Sequence, residues 1–311
     1  MKKYFYIVLI AIVSCKTKPK PAMPQHFVVV LGVAQDAGYP QLGCTKECCA
    51  SYYKDKETKK YIVSLALVDN QNKQYFLFEA TPHINEQLTM LQKYLHQSDY
   101  SPDGIFLTHA HIGHYTGLMY FGREAMNASS IPVYTLPRLD SFLRSNGPWS
   151  QLVSLKNIQM TQLKPDTPVS LSVNIKVTTI KVPHRDEFSE TAGFIIQSNN
   201  KKLLFIPDID KWQKWERSIV DLIKDVDYAL LDATFYTNGE LPNRNMSEVP
   251  HPFVEESIQL FQQLSAADKK KVYFIHFNHT NPLLKNKSTA KSEVKQKGFN
   301  IAEEGLILNM E

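Results

Sequence analysis

The run Leu107-Thr108-His109-Ala110-His111-Ile112-Gly113-His114-Tyr115-Thr116-Gly117-Leu118 decides how this chain is read. Its three histidines fall within six residues, after a strand-like apolar run over 104–107 and before a helix-like run over 118–126. A sharp turn at a strand's carboxyl end lets closely spaced side chains converge, and imidazole is a common ligand for zinc and its neighbours. A solvated loop with incidental histidines does not account for that spacing in that place.

Outward from the loop, apolar runs over 27–31, 64–68, 75–78, 133–134, 173–180, 194–197, 203–206, 228–231 and 272–275 read as strands. Helices fit 85–96, 139–145, 212–224, 253–264 and 288–296. Early strands come as a meander, with a hairpin turn at Asp69-Asn70-Gln71-Asn72, and later ones alternate with helices. The pattern suits stacked sheets covered by helices and leaves a doubly wound sheet open. Isolated polar residues close three of the strands: His184 after Pro183, Asp208 after Pro207 and His276 after Ile275. Loops at strand ends are where a rigid scaffold can carry chemistry.

Cys15 apart, the cysteines are Cys44, Cys48 and Cys49. An odd number so crowded cannot form a disulfide framework, and a bond between adjacent cysteines would be strained. Three thiolates around a tight turn suit a structural zinc whose fourth ligand arrives from elsewhere; free buried thiols are the other reading.

The histidine loop, His184, Asp208 and His276 occur in the order that resembles the metallo-β-lactamase superfamily, whose loop reads His-x-His-x-Asp-His. Gly113 stands where that family has its aspartate. The resemblance implies an αββα sandwich, two mixed β-sheets flanked by helices. It implies a first metal among His109, His111 and His184, a second between His114 and His276, and Asp208 bridging the two. Two such cations would acidify water and polarise the group it attacks. With glycine at 113 the second site would be weaker, differently selective or empty. Asp36 could supply an oxygen instead, or be a plain turn aspartate. Glu79 looks like the family's acid that orients a ligand histidine. The cofactors implied are one or two catalytic divalent metals (zinc, with manganese or iron as alternatives) and one structural zinc.

Residues 35–41, the cysteine cluster, 183–191 and 278–282 resemble coenzyme PQQ synthesis protein B and its relatives. The phosphodiesterase of the carbon–phosphorus lyase pathway and tRNase Z are more distantly similar. Likeness to that phosphodiesterase implies Cys44, Cys48, Cys49 and His279 for the structural zinc, with Lys46 in place of the usual middle cysteine and Cys48 compensating. Residues 231–235 and 250–252 resemble the acid and histidine of the phosphodiesterase and tRNase Z branches. His251 could then protonate a leaving oxygen while Asp232 fixes its tautomer. His251 as a helix-start residue before 253–264 is equally open. Arg185 and Tyr39 could meet an anionic or aromatic substrate.

Met1-Lys2-Lys3, an apolar run over 4–13 and Ser14-Cys15 describe a secretory signal, too short to span a bilayer. The residues before Cys15 resemble a bacterial lipobox. Residues 1–14 therefore read as a lipoprotein signal peptide, 15–25 as a tether lipidated on Cys15, and 26–311 as one metallo-β-lactamase-fold domain. That places the protein in a bacterial cell envelope, lipid-anchored and facing the periplasm or exterior. An ordinary signal peptide with an incidental cysteine is the alternative. Loss of Lys2 and Lys3 takes the formal charge of +4 down by two, and acidic and basic residues are interspersed. Composition gives no argument for nucleic acid as a partner, and the Lys-rich 285–297 reads as a solvated helix face. The expected activity is hydrolysis of a small-molecule substrate at a phosphodiester, ester, lactone or amide bond. Two other readings stay open: a single-metal oxidative enzyme, iron included, acting on a small aromatic substrate, and a non-catalytic ligand-binding lipoprotein.

Overall fold

Phe27-Val28-Val29-Val30-Leu31 is apolar at every position because both faces of the strand it forms are covered. The computed structural model describes residues 23–95, 100–242, 244–285 and 288–311. The signal, Cys15 and most of the tether lie outside the described residues. Six strands come first: β1 (His26–Gly32), β2 (Ser64–Asp69), β3 (Gln74–Phe78), β4 (Gly104–Phe106), β5 (Ile131–Thr135) and β6 (Ile158–Gln162). Then follow β7 (Pro168–Ser170), β8 (Ile175–Val182), β9 (Thr191–Ser198), β10 (Lys201–Ile206), β11 (Tyr228–Asp232), β12 (Val272–Ile275), β13 (Asn300–Ile301) and β14 (Ile307–Asn309).

They make two seven-stranded sheets, ordered β14-β1-β2-β3-β4-β5-β6 and β13-β12-β11-β10-β9-β8-β7. In the first sheet β14 to β3 pair antiparallel and β3 to β6 parallel. The second repeats the mixture, parallel from β13 to β10 and antiparallel from β10 to β7. Two mixed sheets with helices packed on them form the expected α/β sandwich, and a single doubly wound sheet is excluded.

Alternation sorts the side chains of the first sheet. Val28, Val30, Phe76 and Phe78 join Val177, Phe194 and Phe205 of the second sheet in one core. Phe27, Val29, Tyr75 and Leu77 pack instead with Ile84, Leu88, Leu91, Leu139 and Leu143 on the helices Ile84–Leu91 and Pro137–Ser145. The sheets meet where the Phe194 ring stands edge-on to Phe78 at 5.4 Å and to Phe106 at 5.6 Å. Each fully buried phenylalanine contributes about 1.5–3 kcal/mol.

Several boundaries differ from those the sequence suggests. The helix expected over 212–224 is a single turn at Trp212–Lys214 followed by a separate helix Ile219–Asp225. Ser218 breaks it by capping the second piece, its hydroxyl accepting from the Asp221 amide. Residues 118–126 give a 3₁₀ helix, Thr116–Phe121, rather than an α-helix. Val173 is 95% exposed and precedes β8, so its apolar side chain is not part of that strand.

Candidate metal centre

The three histidines leave β4 on a loop whose backbone is tied down on both sides. Ala80 N–H donates to the His114 carbonyl and Gly117 N–H to the Ala80 carbonyl, both at 2.9 Å. The Ala192 amide at the head of β9 donates to the Thr108 carbonyl at 3.0 Å, which joins the two sheets beside the loop. Asp36 comes from the loop after β1, and Glu79 directly follows β3. His184, Asp208 and His276 follow β8, β10 and β12. Glu79 and His276 hold left-handed backbone, φ 78° and 68°, a conformation that costs a non-glycine residue on the order of 1–3 kcal/mol and persists where the surroundings impose it.

These side chains meet. His109 Nε2 lies 2.7 Å from His111 Nδ1, and ligand atoms of His109, His111 and His184 fall within 4.8 Å of one another. A second group of the same size is Asp36, His114 and His276; a third is His109, His114 and Asp208. Asp208 stands between them, with Oδ1 3.6 Å from His184 Nε2 and Oδ2 3.3 Å from His114 Nε2 and 3.1 Å from His276 Nε2. Asp36 is no plain turn residue, since its Oδ1 lies 2.6 Å from His114 Nε2. A Cβ built on Gly113 would lie 2.5 Å from the Asp36 Cα and 2.7 Å from its Oδ1. The Asp36 carboxylate thus fills the space that a side chain at 113 would need.

Neighbouring acceptors orient the rings. Glu79 Oε1 lies 3.2 Å from His114 Nδ1, an ion-pair contact on one side of the ring, and His114 Nε2 faces Asp36 and Asp208 on the other. Thr234 Oγ1 donates its single proton to Asp232 Oδ1 at 2.7 Å, so toward His276 Nδ1 at 2.8 Å it accepts, and His276 Nε2 is turned inward. Burial, with its imidazole neighbours, holds His109 well below the usual histidine range; burial also pulls His111 down to about 4 and His184 far down. Burial opposes charge on His114 too, but Glu79, Asp208 and Asp36 outweigh it and hold its pKa well above the usual value. Asp208 is pushed up to about 6 by burial, whereas His114 and His276 outweigh burial at Asp36 and keep it low.

The donor set suits a divalent cation. Both nitrogens of His184, Nε2 of His276 and Oδ2 of Asp208 are buried without a hydrogen-bond partner. Leaving such a group unsatisfied costs about 1–3 kcal/mol each, a deficit that a coordinated cation relieves at one nitrogen of His184, at His276 Nε2 and at Asp208 Oδ2. Imidazole and carboxylate together suit zinc, manganese or iron.

The sequence profile of the beta-lactamase superfamily domain matches residues 74–277, more than half of the chain. The chain belongs to that superfamily. Among curated proteins it is 23% identical to coenzyme PQQ synthesis protein B of Gluconobacter oxydans, over 91% of this chain and 98% of that one. Zinc-bound PqqB from Methylobacterium extorquens superposes with a TM-score of 0.76 at 20% identity, covering 91% of this chain and 99% of the other. A diphosphatase of the PhnP family superposes with a TM-score of 0.65 at 19% identity, covering 92% and 98%. At these identities the structural likeness establishes the superfamily fold.

Within this superfamily fold a histidine–acid pair adjoins the centre. His251 Nδ1 lies 2.8 Å from Asp232 Oδ2, and the other Asp232 oxygen accepts from Thr234 N at 2.9 Å. Burial opposes charge on His251, but Asp232 outweighs it and lifts the pKa. Away from the centre, Cys44, Cys48, Cys49 and His279 place ligand atoms within 4.8 Å of one another. His279 Nδ1 faces Asn278 Oδ1 at 3.1 Å, leaving Nε2 for a ligand. Burial pushes the Cys49 thiol up to about 12, with the Cys44 thiol adding to it.

Tyr39 does not reach the centre. Its hydroxyl is engaged beside the cysteines, donating to the Cys48 carbonyl at 2.9 Å and facing Ser51 Oγ at 2.6 Å. Arg185 does reach it, with Nη2 3.0 Å from His111 Nε2. Sequence reasoning gave no role to Thr234, the hydroxyl that links Asp232 to His276, nor to Ser189, which accepts from the Ala110 amide at 2.8 Å. The Asp232-x-Thr234 spacing, a turn in which a hydroxyl folds back on a carboxylate, was the available signal for the first. Nothing local marks the second.

Proposed function

We propose that the chain is a metal-dependent hydrolase whose water nucleophile attacks a phosphodiester or ester/lactone-type bond of a small molecule. The observation that supports it is the convergence of unpartnered buried atoms of His184, Asp208 and His276, with Asp36 seated over Gly113. In this reading His109, His111 and His184 would hold one cation and His114, His276 and Asp36 a second, with Asp208 available to either. Bound cations at such a site acidify water and polarise the bond under attack. Glu79, Thr108 and Thr234 orient ligand rings, and His251 hands a proton from Nε2 to the leaving oxygen while Asp232 retains the Nδ1 proton. Cys44, Cys48, Cys49 and His279 hold a structural zinc that pins the 41–50 loop to the 278–281 loop.

Metal analysis tests this first: near three equivalents support two catalytic cations and a structural one. Hydrolysis scored on phosphodiester and lactone panels then disappears in His111→Ala, and full activity in that variant overturns the mechanism. Glycine at position 113, where the family has an aspartate, supports a second reading, a single-metal oxidative step on a small aromatic substrate, for which two equivalents and no hydrolysis are the expected result. Among the described residues no helix is long and apolar enough to cross a membrane. Our reading of envelope attachment rests on Cys15, and a Cys15→Ala protein that still partitions with membranes removes it.

A further inference from the structure

Beside the centre a cavity of about 360 Å³ opens, lined among others by Arg185, Arg244, His251, Gln35, Gln41 and Asn278. That volume admits a small organic ligand. Among the described residues no aspartate or glutamate lines it, while two arginines do. Arg185 reaches toward His111 and, at 3.8 Å, toward the half-exposed Glu187, which stands outside the cavity wall. The Arg244 side chain has no ion-pair or hydrogen-bond partner among the described residues; only its backbone amide is bonded, to the Leu241 carbonyl at 3.1 Å. A guanidinium at the wall of a cleft with no carboxylate partner raises the local concentration of anions. Gln35 and Gln41 bring neutral side-chain amides to the same wall, while the Asn278 amide donates to Thr280 Oγ1 at 2.6 Å.

Position decides which part of a substrate meets these groups. His251 lines the same cavity, and its Nδ1 is committed to Asp232, so the atom available for proton transfer is Nε2. A leaving oxygen protonated there carries the rest of its fragment into the space bounded by Arg185 and Arg244. We infer that the leaving portion of the substrate bears a phosphate group, bound between Arg185 and Arg244. The inference rests on the hydrolase reading for the direction in which the substrate lies, and it adds the class of group recognised. Arg244 has no carboxylate partner among the described residues and Arg185 shares its charge with Glu187 at 3.8 Å, so the two guanidinium groups together match a dianion better than a carboxylate monoanion, and each planar fork can take two phosphate oxygens.

The test is calorimetric titration of inorganic phosphate, and separately of acetate, into the metal-loaded protein. Wild type is compared with Arg244→Gln, Arg244→Lys and Arg185→Gln, each checked for metal content. Phosphate is expected to bind at least tenfold more tightly than acetate. Arg244→Gln is expected to weaken phosphate about tenfold, the usual loss of one charge-assisted bond, with metal content unchanged. Arg244→Lys, which keeps the charge and loses the fork, falls between. Arg244 is exposed and, among the described residues, bonded only through its backbone, so its loss does not threaten folding. Equal phosphate affinity in wild type and Arg244→Gln, or no phosphate binding at all, overturns the subsite; acetate binding as tightly as phosphate overturns the choice of phosphate. A protein that hydrolyses the bond panel but fails these titrations keeps the hydrolase reading and loses the subsite. One that binds phosphate through Arg244 and hydrolyses nothing does the reverse.

Discussion

Because the Asp36 carboxylate occupies the space above Gly113, positions 36 and 113 are expected to behave as one ligand position divided between two loops. Asp36→Ala should lower the metal content by one equivalent, and Gly113→Asp alone should do the same, since its Cβ meets the Asp36 backbone and cannot be accommodated by a rotamer change. Combining Asp36→Gly with Gly113→Asp removes the contacts with the Asp36 side chain but leaves its Cα 2.5 Å from the new Cβ, so the missing equivalent should not return. Elemental analysis of the three proteins checks this, and Asp36→Ala retaining a full complement would sink it. Thr234 makes a second case. Replacing it with valine removes the acceptor for His276 Nδ1 and a donor to Asp232 at once. Such outer partners typically carry 10–100-fold in metal affinity, and Thr234→Ser should recover most of the loss in a competitive chelator titration. Residues at strand ends were legible in the sequence because each apolar run stops abruptly at a single polar side chain, as at Asp208 and His276. Whether Asp36 served as ligand or turn residue was not legible, because the answer depends on two loops meeting through the fold. Arg244 was less legible still, an exposed basic residue with no local signature.

At the scale of elements, the centre depends on how firmly β4 is held, since the loop with three of its histidines begins one residue beyond it. Phe106 closes that strand. Its ring stacks on Tyr134 at 4.4 Å and on Phe78 at 5.1 Å, and meets Phe194 of the opposite sheet. Phe106→Ala should cost about 3–5 kcal/mol in urea unfolding, as buried aromatic truncations do. Ser218→Ala removes only a helix cap and should cost about 1 kcal/mol. If the two losses prove equal, β4 is not the support described here. The same contrast explains what the sequence shows of the elements. Strands buried on both faces announce themselves as unbroken apolar runs, as β1 and β10 do. β13 and β14, two and three residues long, are edge strands that exist through pairing with β12 and β1 and have no periodicity of their own to read.

Across the whole molecule, two donor groups gather side chains from loops far apart in sequence. The histidine–aspartate group draws on loops from both sheets, and the cysteine group joins the 41–50 loop to His279, three residues beyond His276. Metal that binds the folded chain and not the unfolded one stabilises by mass action, about 2.7 kcal/mol at a free concentration one hundred times the dissociation constant. Exhaustive chelation should therefore lower the thermal midpoint by several degrees, and zinc added back should restore it. The donor sets share no residue, so their contributions should be separable. His111→Ala should lose metal from the centre while its cysteine group keeps one equivalent, and Cys49→Ser should lose one equivalent while the centre stays loaded. Calorimetric scans with metal counts on both variants and on the double variant check this, with losses in the double variant close to the sum of the two. If Cys49→Ser instead empties the centre as well, the His276–His279 segment transmits disorder from one group to the other, and the two sites fold as a single unit.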